Sequence, residues 1–225
     1  MSSFEKLQES LSSCHAKLDN NAEILVTQGE LIASQQEIIR TLQTENEALK
    51  QKIDDLSMQA DDLEQCGRRN TLEIHGIPVA DREVVSKVVL QTCQAVGVQI
   101  GAEEIDCCHR LKKRPDSRNP PPIIVKFVRR TIAHEIMQQK RSVNKLSIRR
   151  MGMQGETHPV YINLSLTAPR KILLSKVRKL QKEFGFKYVW VDKTSTIKIR
   201  IVENGRIYTV RCEKDLKAVP TTVNC

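Results

Sequence analysis

Cysteine and histidine have the widest chemical range in this chain of 225 residues, and their spacing limits what they can do. The seven cysteines stand at Cys14, Cys66, Cys93, Cys107, Cys108, Cys212 and Cys225. No two form a CxxC pair, so neither a zinc ribbon nor a dithiol redox motif is expected. Cys107-Cys108-His109 sets ligating types side by side, but neighbours in a strand point to opposite faces. They read as ordinary strand residues. The histidines (His15, His75, His109, His134, His158) accompany no recognisable serine or cysteine nucleophile. Neither a P-loop nor GxGxxG occurs. The sequence therefore predicts no catalytic residue, no metal site and no cofactor, and a protein that is not an enzyme.

Charge is the chemistry that remains. Lysine and arginine total 36 against 27 acidic residues, a net charge of +9. Up to Cys66 five basic residues meet 13 acidic ones, whereas from Gly67 onward 31 basic residues meet 14 acidic ones. An acidic segment joined to a basic one points to a polyanionic partner, nucleic acid ahead of a merely solvated surface. The start MSSFEKLQES has no apolar signal core, and no apolar run of membrane-spanning length occurs. A reducing setting is expected, in the cytoplasm or also the nucleus.

The elements that must carry this charge begin with a heptad pattern. Position a takes Phe4, Leu11, Leu18, Leu25, Ile32, Ile39, Asn46, Ile53 and Ala60. Position d takes Leu7, Cys14, Asn21, Gln28, Gln35, Leu42, Leu49, Leu56 and Leu63. A 3.5-residue period without stutter or proline predicts a parallel coiled coil over residues 1–66, roughly 90 Å long. Asn21, Gln28, Gln35 and Asn46 are polar layers that fix register at a cost in stability. Ile24, Leu31 and Ile38 at g widen the apolar stripe, which favours a homotrimer, while Asn46 at a favours a dimer.

Residues 67–165 read as βαββαβ. Strands are expected at Thr71–His75, Ile105–Leu111, Ile123–Val128 and Val160–Leu164. One helix is expected from an Asp81 cap to Val96, stopped by Gly97, and another from a Thr131 cap with Ile132, Ile136 and Met137. The loop KKRPDSRNPPP is too rich in proline and charge to be regular. This order is the ferredoxin-like, or RRM-like, arrangement. Its first strand has no aromatic and its third has only Phe127, so charge should outweigh base stacking.

Residues 166–225 form a small α+β domain. Thr167-Ala168-Pro169 opens a helix that buries Ile172, Leu173, Val177, Leu180 and Phe184, with Gly185 as its stop. Its polar face holds Arg170, Lys171, Arg178, Lys179 and Lys182. Three strands follow, Lys187–Val191, Thr196–Ile201 and Ile207–Arg211, with Asn204-Gly205 as a hairpin signal. Lys198 and Arg200 share one face. Tyr188 and Trp190 share a face too, and either stack bases or pack the core against Phe184 and Leu180.

The order of these parts resembles the first-open-reading-frame proteins of LINE-type retrotransposons over nearly the whole chain. NTLEIHGIP, PPIIVKF and PVYINLSLTA carry that resemblance. PRKILLSKVRKL, KYVWV and GRIYTVR are similar also to the baculovirus few-polyhedra (25K) proteins. The retrotransposon resemblance implies a homotrimer that binds single-stranded RNA, with DNA as the alternative, and acts as a nucleic-acid chaperone or RNP-packaging protein. It implies contacts from Arg68, Arg69, Lys126, Arg141, Arg149, Arg150, Tyr188, Trp190, Lys198 and Arg200. Arg110, Arg129, Arg130, Lys140 and Lys145, from the same basic half, join this candidate set. The few-polyhedra resemblance implies instead a viral or insect structural or trafficking factor acting through protein or membrane contacts. The trimer motif of the retrotransposon coil is incomplete, because Thr41 and Thr44 stand at the apolar positions between Arg40 and Glu45.

Overall fold

The computed structural model describes residues 3–113, 119–143, 145–153 and 158–220, the side chain of Glu5 excepted. Cys225 and residues 114–118 of the KKRPDSRNPPP loop lie outside the described residues. The chain divides into two compact units, Met1–Ser57 and Met58–Cys225. Helix α1, Ser3–Gly67, supplies all the described structure of the first and opens the second. It runs unbroken because the segment has no proline and few β-branched residues in succession. Its heptad residues Leu11, Leu18, Leu25, Ile32, Ile39, Leu42, Leu49, Ile53, Leu56 and Leu63 are all exposed on the single chain. No helix among the described residues is long and apolar enough to cross a membrane.

The second unit is α+β with antiparallel sheets. Its first part comprises β1 (Thr71–His75), α2 (Val85–Val96), β2 (Ile105–Arg110), β3 (Ile123–Phe127), α3 (Arg130–Ser142) and β4 (Tyr161–Leu164). The strands form one sheet in the order β2-β3-β1-β4, every neighbour antiparallel. Period-2 alternation sends Leu72, Ile74, Ile123, Val125, Phe127 and Ile162 into a core with Val88, Val89 and Cys93 of α2 and Ile132, Ala133 and Ile136 of α3. Each fully buried aliphatic chain contributes roughly 1.5–3 kcal/mol. The opposite face presents Glu73, His75, Cys107, His109, Ile124, Lys126, Tyr161 and Asn163, so Cys107 and His109 are strand residues.

The second part comprises α4 (Ala168–Phe184), β5 (Tyr188–Val191), β6 (Ile197–Arg200), β7 (Ile207–Val210) and α5 (Glu213–Lys217). The strands make a meander in the order β5-β6-β7. Leu173 and Val177 of α4 pack with Phe186, Ile197, Ile199 and Val210. Gly97 and Gly185 end α2 and α4 at φ +97 and +71, in the left-handed region that glycine enters without a Cβ clash.

Four helix features depart from the sequence expectation, the first being Ile172 of α4, which is exposed rather than part of the buried stripe. Helix α2 starts at Val85 and Asp81 does not cap it. Arg110 draws Glu83 away, its Nε donating to Oε1 at 2.9 Å, and Arg82 takes φ +54, which keeps residues 79–84 in a loop. Helix α3 starts at Arg130 with Arg129 at its N-cap, so Thr131 lies inside it. Glu104 holds that approach extended, its carbonyl accepting Val128 N–H at 2.9 Å and its carboxylate engaging Arg129. Helix α5 was not expected, its entrance being made by the Asp215 carboxylate, which accepts Arg211 N–H at 2.7 Å and Cys212 N–H at 3.2 Å.

Candidate nucleic-acid interface

A buried polar network fixes the C-terminal elements to the last turns of α1. Gln65, only 2% exposed, donates from Nε2 to Ser165 O at 3.0 Å, and its Oε1 accepts Thr167 N–H at 3.0 Å at the entrance to α4. Arg170 donates from Nε to Asp61 Oδ2 at 2.6 Å and from Nη1 to the Ser195 carbonyl at 3.2 Å, and it also bridges Asp62. The Thr167 hydroxyl donates to Asp61. Glu73 accepts from Lys171 Nζ at 2.6 Å and Ser165 Oγ at 2.9 Å. Burial pushes the Glu73 carboxyl up, but His75, Lys171 and Ser165 outweigh it and hold its pKa at about 2. Asp61, Asp62 and Gln65 occupy heptad positions b, c and f, while Leu63 at d stays 76% exposed.

This joint sets edge strand β4 of one sheet beside edge strand β5 of the other, with a two-part cleft along them. One part, about 810 Å³, is lined by Arg69, by Arg130, His134 and Arg141 of α3, and by Lys193. The other, about 710 Å³, is lined by His75, Lys140, and Lys171, Arg178, Lys179 and Lys182 of α4. Met137, Leu164, Trp190 and Val191 line both. Glu73, Glu135 and Asp192 also line it, so the cleft has an apolar floor and a rim on which cations outnumber carboxylates. Arg69, Arg130, Arg141, Arg178, Lys179, Lys182 and Lys193 have no carboxylate partner among the described residues. Lys140 is half-buried and donates to the Ile162 carbonyl, and burial, then Arg141, depresses its pKa.

Trp190 belongs equally to the outer face of the three-stranded sheet. Val189 and Val191 take the core side, beside Phe184 and Leu180. Tyr188 and Trp190 therefore point outward, and their alternative as core residues does not hold. Cross-strand pairing puts Arg200 opposite Tyr188 and Lys198 opposite Trp190. Lys187 Nζ stands 5.8 Å from the Tyr188 ring centroid, and the Arg200 guanidinium 5.9 Å from that of Trp190. Aromatic and cationic groups so interleaved suit base stacking and phosphate contact together.

Of the candidate residues, Arg69, Arg130, Lys140, Arg141 and Trp190 meet at the cleft, and Tyr188, Lys198 and Arg200 adjoin it across the sheet. Others are elsewhere. Arg110 is locked inside the fold, donating to Glu83 and to the Ile77, Pro78 and Pro121 carbonyls at 2.6–2.9 Å. Arg68 pairs with Glu64 at 2.7 Å, and Arg129 pairs with Glu104. Lys126 pairs with Asp106 at 2.7 Å on the open sheet face, whereas Arg141 is on α3, against the other face. Those two do not form one site. Lys145, Arg149 and Arg150 are exposed between α3 and β4, the arginines in a short 3-10 turn. Lys171, Arg178, Lys179, Lys182 and Lys193 were missed as site residues. Four of them are visible in the sequence as the basic face of α4, but a basic helix face is ordinarily just solvated.

No curated protein matches the chain. The family model that matches is Baculovirus FP protein domain 2, over residues 167–219. The segment from the entrance of α4 through α5 is thus similar to the second domain of baculovirus FP proteins.

Proposed function

We propose that this protein is an oligomeric single-stranded RNA-binding protein with a chaperone or RNP-packaging role, as in the retrotransposon proteins it resembles. It binds rather than catalyses, and it works in the cytoplasm or the nucleus. The observation that carries the reading is the cleft, where cations of α3, of α4 and of the turns at Arg69 and Lys193, without a carboxylate partner among the described residues, share a lining with Trp190. Arginine and lysine on its rim contact phosphates, and Trp190 offers a π-face to any base. The strand order β2-β3-β1-β4 with α2 and α3 on one face supports a ferredoxin-like domain over residues 67–165. Residues 166–225 form the second basic domain. The exposed heptad stripe of α1 supports a parallel coiled coil over residues 1–66, since an unpartnered helix does not keep such a stripe in water. A homotrimer leaves the head-bearing positions b, c and f outside and brings three clefts together, raising their effective concentration.

Salt titration tests the reading. For five phosphates neutralised on a single strand, log K should fall with log salt with a slope of about −3.5. Binding should weaken when the coil is removed. A slope and affinity no greater than those of an unrelated protein of equal charge would reject RNA binding. The match to baculovirus FP protein domain 2 favours a second reading, a structural or trafficking factor whose basic face contacts proteins or membranes. Binding to anionic vesicles without affinity for RNA would select it.

A further inference from the structure

Phosphate contacts leave one feature of the outer sheet face unused. Tyr188 and Trp190 project from the same side of β5, two residues apart. Their attachment points are therefore separated by roughly 6.6 Å. That is about twice the 3.5 Å contact distance between carbon atoms. Two aromatic rings held parallel at that spacing leave room for one planar ring between them. A cavity of about 440 Å³ opens at this edge of the sheet, and Gln181, Lys187, Val189 and Arg200 complete its lining. Arg200 lies across the sheet from Tyr188 and leans onto the Trp190 ring. Its Nε is buried and has no hydrogen-bond partner among the described residues. A cationic donor left unsatisfied is costly and calls for an explanation by strain, water or ligand. The nearby donors are already engaged: Gln181 Nε2 donates to Phe186 O at 3.1 Å and Lys198 Nζ to Thr209 Oγ1 at 2.8 Å.

We infer that this notch reads a guanine base, an inference that rests on the RNA-binding reading and adds a preference to it. A ring entering between Tyr188 and Trp190 takes the place of the guanidinium on the indole face and uncovers Nε to the incoming base edge. Stacking alone does not distinguish bases, so the donor pair of Arg200 decides. Guanine presents O6 and N7 as adjacent acceptors, which match the side-on fork of Nε–H and Nη–H. Adenine sets an amino donor beside N7, which opposes a second donor. Uracil separates its two carbonyls by an N–H, and cytosine offers an amino group where guanine has O6. Lysine cannot reproduce the fork, because its ammonium is a point charge on a flexible stem.

The test uses the full chain and fluorescent ten-nucleotide RNAs, with affinities read by anisotropy. One central guanosine in an otherwise all-uridine strand should tighten binding by about 10-fold. Inosine, which keeps O6 and N7, should retain that gain, and 7-deazaguanosine, which lacks N7 as an acceptor, should lose it. These comparisons use the unaltered protein, so they hold whatever the variants do to folding. In Arg200→Lys the ratio of guanosine-strand to uridine-strand affinity should fall toward one. Equal affinity for the two strands in the unaltered protein would overturn the inference, as would an equal gain from adenosine or 7-deazaguanosine. If neither strand binds, RNA binding itself fails, and the guanine notch fails with it.

Discussion

Glu73 shows how one position links sequence to stability. It lies on the open sheet face, where alternation alone makes it a solvated strand residue. The approach of Lys171 and Ser165, with His75 beside it, turns it into a buried, charged anchor. Its pKa falls from 4.5 to about 2 on folding, so the carboxylate stabilises the fold above its unfolded value. That contribution is lost as pH drops from about 4.5 through 2. After solvent screening it is about 2 kcal/mol. Urea unfolding at a series of pH values should show this loss in the parent protein, and Glu73→Gln should flatten it. An unchanged acid limb in the variant would assign acid sensitivity to other carboxylates. Single residues also show the limits of charge counting. Arg110 and Arg141 look alike in the sequence, yet Arg110 has its donors occupied by Glu83 and backbone carbonyls, whereas Arg141 faces the cleft.

At the scale of elements, α1 and the strand alternations were legible, because each depends on a local period. The 3.5-residue repeat predicts a long helix, and one of 65 residues is present. Helix starts were less legible. Asp81 and Thr131 have the right side chains for caps, but the ion pairs of Arg110 and Arg129 decide where α2 and α3 begin. Such long-range partners have no signature in a local window. The prediction at this scale concerns the proposed coil. Leu42→Lys with Leu49→Lys puts two charged rings into adjacent d layers and should convert the oligomer to single chains in sedimentation. Trp190 fluorescence should still report a folded head. A parent protein of two chains would overturn the argument from the widened g positions, and an undisturbed oligomer would move the association elsewhere.

In the molecule as a whole, the deciding feature is the joint made by Asp61, Gln65 and Arg170. Arg170 was read as one of five residues on a basic helix face, but its side chain is only 14% exposed and it binds two carboxylates and a carbonyl. Arg170→Ala leaves Asp61 without its cation but with the Thr167 hydroxyl, and loss of this part-buried pair costs about 1–3 kcal/mol. Urea unfolding of the variant measures it, and a cost below about 1 kcal/mol would show that apolar contacts alone hold the joint. The sequence by itself determined the heptad helix, the order of strands and helices as far as β7, and the contrast between an acidic and a basic half, since periodicity and composition are properties of adjacent residues. It also contained the basic face of α4 without marking it as functional. Only the tertiary structure decided which cations remain free. Ion pairs and carbonyl cages form between residues far apart in sequence, and they engage Arg110, Lys126, Arg129 and Arg170, locking Arg110 and Arg170 into the fold. The same folding turns Trp190 outward and brings charges from α3 and α4 into cavities that it lines.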